Sequence, residues 1–73
     1  MNEVEKLRVL IPHWIEHNRE HEGEFRRWAK QAGEASEDIL AAAEDIKDAN
    51  KALKAALEKL GDPSLQHKHP HGD

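Results

Sequence analysis

Ile39, Ile46, Leu53 and Leu60 recur every seventh residue, with Ala42, Ala43, Ala49, Asn50 and Leu57 at the positions between them. That repeat keeps apolar side chains along one side of an α-helix, whereas in a strand it throws them to both faces in turn. Strand signals are absent elsewhere too. There is no tyrosine, β-branched residues are few, and no stretch alternates apolar with polar side chains. Such a chain is confined to helices packed on helices.

The helix carrying the repeat opens at Ser36, an N-cap by residue type, with Glu37 and Asp38 meeting the positive end of the helix dipole. Gly61, Asp62 and Pro63 stop it. An earlier pattern runs from Asn2 to Ala32, where Leu7, Leu10, Ile11, Trp14, Phe25, Trp28, Ala29 and Ala32 recur at helical spacing. Asn2 followed by Glu5 is a capping box, and Gly33 is the candidate C-cap. Pro12 lacks the N–H that would bond the carbonyl of Arg8, so the spacing predicts a kink there, or a short helix over 3–10 followed by a long one from Pro12. The turn between the patterns is short, which makes the pair an antiparallel helical hairpin over 1–61. Alanines on the second helix leave room for the Trp and His side chains of the first. Residues 62–73 form a His-rich tail without apolar periodicity, expected to be disordered.

A chain of 73 residues hides only about 60% of its unfolded surface on folding, and its large apolar residues number 17. Ordering costs on the order of 1.5 kcal/mol per residue, so a hairpin this size needs a staple, a metal or a partner subunit. Cysteine is absent, which removes disulfides, thiolate ligands and cysteine nucleophiles together. Val4, Ile11 and Ile15 on one flank, with Leu40 on the second helix, are surface that a lone hairpin leaves wet. A homodimer forming a four-helix bundle is the expected assembly. The net charge of −4, with basic residues dispersed among acidic ones, speaks against a nucleic-acid partner. The N-terminus lacks a signal-peptide pattern and no apolar run reaches the ~20 residues of a membrane span, so a cytoplasmic protein with no membrane partner is expected.

His13 to Glu24 read HWIE-HNRE-HEGE, three H-x-x-E units without a spacer. At ~100° per residue, the apolar stripe of the first helix centres on Leu7, Trp14, Phe25 and Ala32. His21 falls inside it, His17 at its edge and His13 toward solvent, while Asn18 lies on the stripe as well. The stripe is thus apolar at its ends and polar in its middle, where packing alone asks for leucine. Pairs at i, i+4 place two imidazoles on one face, close enough to share an ion, and both His13/His17 and His17/His21 qualify. Glu20 follows His17, and Glu24 follows His21, at the spacing of a further ligand or of a carboxylate that fixes the ring tautomer. Glu16 and Glu20 also fit a solvated face paired with Arg19 and Arg27. Counting positions from the turn brings Asn50 opposite His17 and Ile46 opposite His21. The two polar gaps can therefore satisfy each other by hydrogen bonding or surround an ion together.

His67, His69 and His71 alternate in the tail, a flexible cluster of the kind that gathers divalent ions with little selectivity. Nitrogen and oxygen donors without sulfur suit Ni²⁺ or Zn²⁺, with Co²⁺ and Cu²⁺ also accommodated. Imidazole ligates only when neutral, so capture weakens below about pH 6. An enzyme is not expected. The residue after His13 is Trp14, not the glutamate of the zinc-protease helix, and two helices offer no shaped cleft.

The segment LIPHWIEHNREHEGEFRRWA resembles the signature of a family of small uncharacterised helical modules that carry HWIEHN-x-EH, an aromatic residue and WA. Its members are associated with anaerobic bacteria and archaea, in places alongside metal-handling proteins. The resemblance covers residues 7–32 and implies that His13, His17, His21 and Glu20 act together. It names no activity. Gly23, in mid-helix, points to a close approach by another backbone.

The function expected from these residues is binding of nickel or zinc for storage, sensing or delivery to a recipient or transporter protein. The ligands are His13, His17, His21, Glu20, Glu24, His67, His69 and His71. The alternative is a structural interaction module whose buried polar layer sets helix register and partner choice.

Overall fold

A computed structural model describes residues 2–61. The chain folds as α1, Glu3–Ala29, then a 3₁₀ turn at Gly33–Ala35, then α2, Ser36–Lys59, with no strand among the described residues. The expected tail, with His67, His69 and His71, lies outside the described residues.

Each helix end has a local cause. At the start of α1, the Asn2 side chain accepts from the Glu5 N–H at 2.8 Å, and the Asn2 N–H donates back to Glu5 Oε1 at 3.2 Å. This is the capping box expected from the sequence. Pro12 does not divide the helix, which runs unbroken through it. Pro12 is exposed, as is Arg8, whose carbonyl loses its intrahelical donor there. α1 closes at Ala29, earlier than Ala32, because the backbone passes through a turn to Gly33 at φ 57, a left-handed conformation that glycine adopts freely. Ser36 is not the N-cap. It is already the first residue of α2, and Ala35, held in the α region by the 3₁₀ turn, occupies the cap position with no side-chain hydrogen bond. At the far end, Arg8 Nε donates to the Leu60 carbonyl at 2.7 Å and satisfies one of the acceptors a helix terminus leaves open.

The helices run antiparallel, and side-chain cross-links fix their register. Arg8 meets Leu60, Asn18 Nδ2 donates to Asn50 Oδ1 at 2.9 Å, and Arg26 Nη2 donates to Glu44 Oε1 at 3.3 Å. Between them the contact surface changes character. Toward the chain ends lies an aliphatic cluster of Ile11, Ile15 and Leu57, backed by Leu7, Leu53, Ala56 and Leu60. The middle is the asparagine layer. Toward the turn, Ala29 (1% exposed) and Ala43 (0%) let the backbones close together.

This core differs from the stripe expected through Trp14, Phe25 and Trp28. Ile11 and Ile15, assigned to a dimer flank, are the buried residues (3% and 8% exposed), whereas Trp14 (42%) and Trp28 (58%) stand in solvent. α2 decides the difference. Its buried line is Ala43, Asn50 and Leu57, and Asn50 is paired on both sides when α1 turns Asn18 and the Ile15 carbonyl toward it. Turning α1 by one residue to bury Trp14 would set His17 against Asn50 and expose both isoleucines. Burying an isoleucine is worth roughly 1.5–3 kcal/mol, so that rotation is unfavourable.

Gly23 does not mark a close approach among the described residues, where a Cβ built on it meets nothing within 4 Å. Gly23→Ala is therefore expected to stabilise the hairpin by up to about 1 kcal/mol, the difference in helix propensity. A domain of this size should melt about 4–8 °C higher for each kcal/mol gained. An unchanged or lower melting temperature by circular dichroism would mean that something not bound within this hairpin packs on that side.

Candidate metal centre

Two lines of side chains run along α1, each residue of one immediately preceding a residue of the other: Leu10 and Ile11, Trp14 and Ile15, His17 and Asn18, His21 and Glu22, Trp28 and Ala29. Neighbouring residues on a helix are ~100° apart, so the two lines face directions about a right angle from each other. One line packs on α2. The other, carrying the histidines, is open.

On the open face the His17 and His21 rings meet edge-on with centroids 4.9 Å apart, and His13 stacks on His17 at 6.4 Å. All three histidines are exposed, so His21 is not enclosed by the core as the stripe drawn from sequence placed it. His21 Nδ1 lies 3.9 Å from Glu24 Oε1, and its ring is 6.4 Å from Phe25. Glu20 is exposed, one turn beyond His17, and Glu16 pairs with Arg19 at 3.5 Å. A four-residue repeat drifts by ~40° per unit on a 3.6-residue helix, which turns His13 and His21 about 80° apart. Among the described residues, accordingly, no group of three or more metal-binding side chains converges within the single chain. The imidazoles come in neighbouring pairs.

Apolar side chains flank the pair at both ends. Leu10 and Trp14 lie on one side, Phe25 and Trp28 on the other. Near the turn Phe25, Trp28, Ile39 and Ala42 line an open groove of about 380 Å³, with Glu24 and Asp38 at its rim. The opposite side of the hairpin is charged. Arg19, Glu22, Lys47, Asn50, Lys51 and Lys54 line a shallow hollow there. Beside it Arg26 bridges the helices, 2.9 Å from Glu22 and 3.3 Å from Glu44. Hydrogen bonds that Arg26 donates to Glu22 first, then to Glu44, raise the pKa of its guanidinium further. Sequence reasoning missed this brace, although the i, i+4 spacing of Glu22 and Arg26 was the signal.

Fold and open face together define a class: a two-helix module with a histidine pair on an unpacked apolar face. Over residues 7–60 the chain matches the domain of unknown function DUF8180, and it belongs to that family. It is 32% identical over 62 residues to an uncharacterized protein of Archaeoglobus fulgidus, a match that covers 80% of this chain and all of that one. No solved structure matches. No helix among the described residues is long and apolar enough to cross a membrane.

Proposed function

We propose that the hairpin is a cytoplasmic carrier of a divalent transition ion, nickel or zinc, that serves storage, sensing or delivery. The carrying observation is the His17/His21 pair, with ring centroids 4.9 Å apart on a face that also exposes Leu10, Trp14 and Trp28. Two imidazoles one turn apart are a standing half-site, and apolar walls lower the local dielectric around an ion bound there. Glu24, close to His21 Nδ1, orients that ring or joins the ligand set, and Glu20 stands ready for the same task beside His17. His13 extends the row, and the tail histidines gather ions for it. A recipient or transporter protein completes the scheme if delivery is the task.

Calorimetry on the full chain separates the two histidine clusters. With His67, His69 and His71 all changed to alanine, Zn²⁺ and Ni²⁺ binding should persist. Adding His17→Ala and His21→Ala should weaken it by more than the ~10–100-fold that loss of an outer-shell partner produces. Equal binding with and without the helical histidines would remove them from the site.

A second role, as an interaction module, is favoured by one specific observation. The Asn18–Asn50 pair is polar, inward-facing and register-specific, the kind of layer that fixes helix pairing at some expense of stability.

A further inference from the structure

Leu10 and Trp28 stand equally far from Arg19 on either side, as do Trp14 and Glu24, and His17 and His21. The open line of α1 is therefore a palindrome in position. A second palindrome lies on α2. Its line of Ile39, Ala42, Ile46, Ala49, Leu53 and Ala56, half-buried beside the contact with α1 except for the exposed Ala49, is symmetric about the step between Lys47 and Asp48. The hairpin register places these two centres at nearly one height, because Asn18 sits opposite Asn50. A copy of this face turned end for end meets it position for position, residue i on j and j on i, which is the pairing of a twofold interface.

Resting on the metal-binding role proposed above, we infer that two hairpins join face to face about a twofold axis that crosses the histidine face at the height of Arg19. Each α1 then lies antiparallel to the other, and four imidazoles, His17 and His21 with the partner's His17 and the partner's His21, enclose one ion. In this arrangement Leu10 covers the partner's Trp28, and His17 faces the partner's His21. α1 keeps α2 on one side and gains its copy about a right angle away, which is how a helix sits in a four-helix bundle. The charged reverse side, with Arg19, Lys47, Lys51 and Lys54, stays in water. Helix axes 8–10 Å apart suit imidazoles reaching inward from both sides, with metal–nitrogen bonds of about 2.0–2.1 Å. Four nitrogens in a tetrahedron favour Zn²⁺ and Co²⁺, and such a closed site has no open position for substrate. Each chain alone supplies half a site.

The test uses the full chain with His67, His69 and His71 changed to alanine, and Zn²⁺ or Co²⁺ as the probe. Sedimentation equilibrium should give twice the chain mass, with one ion bound per two chains. Bound Co²⁺ should show the intense visible absorption of a four-coordinate centre. Trp28→Arg should shift the population to monomer and weaken ion binding at least tenfold. Its hairpin should still fold, since Trp28 is 58% exposed. Orientation is read from crosslinking in this cysteine-free chain under oxidised glutathione. Leu10→Cys and Trp28→Cys should join each other when mixed, and neither should join itself. Self-crosslinking of each would mean a parallel pair and overturn the inference. One ion per monomeric chain would overturn it too while leaving the metal role intact. No ion bound at any concentration would overturn both.

Discussion

Ile11→Ala should leave the hairpin largely unfolded at room temperature. Ile11 is 3% exposed in a cluster whose other buried members are Ile15 and Leu57. Truncating a buried isoleucine costs about 2–5 kcal/mol, because the lost methylenes leave a cavity that two helices cannot fully close. A single small core rarely supplies more than about 3–5 kcal/mol in total, so one such change consumes most of it. The helical circular-dichroism signal at low protein concentration should fall and lose its cooperative melt. Val9→Ala is the matched control. Val9 is 60% exposed, and the same kind of truncation there should shift stability by no more than about 0.5 kcal/mol. Comparable effects at both positions would mean that the core does not run through Ile11.

The contrast between Ile11 and its neighbours marks where the sequence was legible and where it was not. Helix identity, the Asn2/Glu5 cap and the stop at Gly61 follow from local chemistry, and local chemistry is what a single sequence carries. The direction α1 faces was not local. Its apolar residues cover a wide arc, and both the Trp14–Phe25–Trp28 line and the Ile11–Ile15 line fit a helical period. Residue size drew the stripe toward the tryptophans, but the choice belongs to α2, where Ala43, Asn50 and Leu57 accept the slimmer line. Register was nearly legible. Setting Asn50 opposite His17 misses its observed partner, Asn18, by one residue, and that residue separates a packed polar layer from an open histidine row.

The same one-residue offset explains why the two polar features at mid-helix have separate tasks. His17 and Asn18 are adjacent, yet they point about a right angle apart. The asparagine is used up inside the hairpin, and the histidine is left for whatever meets the open face. Had Asn50 claimed His17, the imidazole would be held as a hydrogen-bonded core group and lost as a ligand. Asn18 thus frees the histidine row by taking the inward position beside it.

Breaking this layer from one side should be costly, and replacing it from both sides should not. Asn50 is 8% exposed, its Oδ1 accepts from Asn18, and its Nδ2 donates to the Ile15 carbonyl at 3.2 Å. Asn50→Leu leaves the Asn18 amide facing an apolar surface, and an unsatisfied buried donor costs about 1–3 kcal/mol. In a domain of this size that is a fall of about 4–8 °C in melting temperature per kcal/mol. Asn18→Leu combined with Asn50→Leu removes donor and acceptor together and adds buried apolar surface. That variant should melt at or above the parent, with a coupling energy of about 0.5–3 kcal/mol from the double-mutant cycle. What it should lose is a unique register, because leucine meets leucine equally well one turn along. Amide exchange should then show weaker protection near the Arg8–Leu60 link at the hairpin's far end, despite the higher melting point. If the single variant is as stable as the parent, Asn50 is not the anchor of the pair. Zn²⁺ affinity of the double variant adds a last distinction. The histidines point away from this layer, so affinity per site should stay near that of the parent wherever the register is kept, and should fall as registers slip, because the two symmetric faces then no longer share one height.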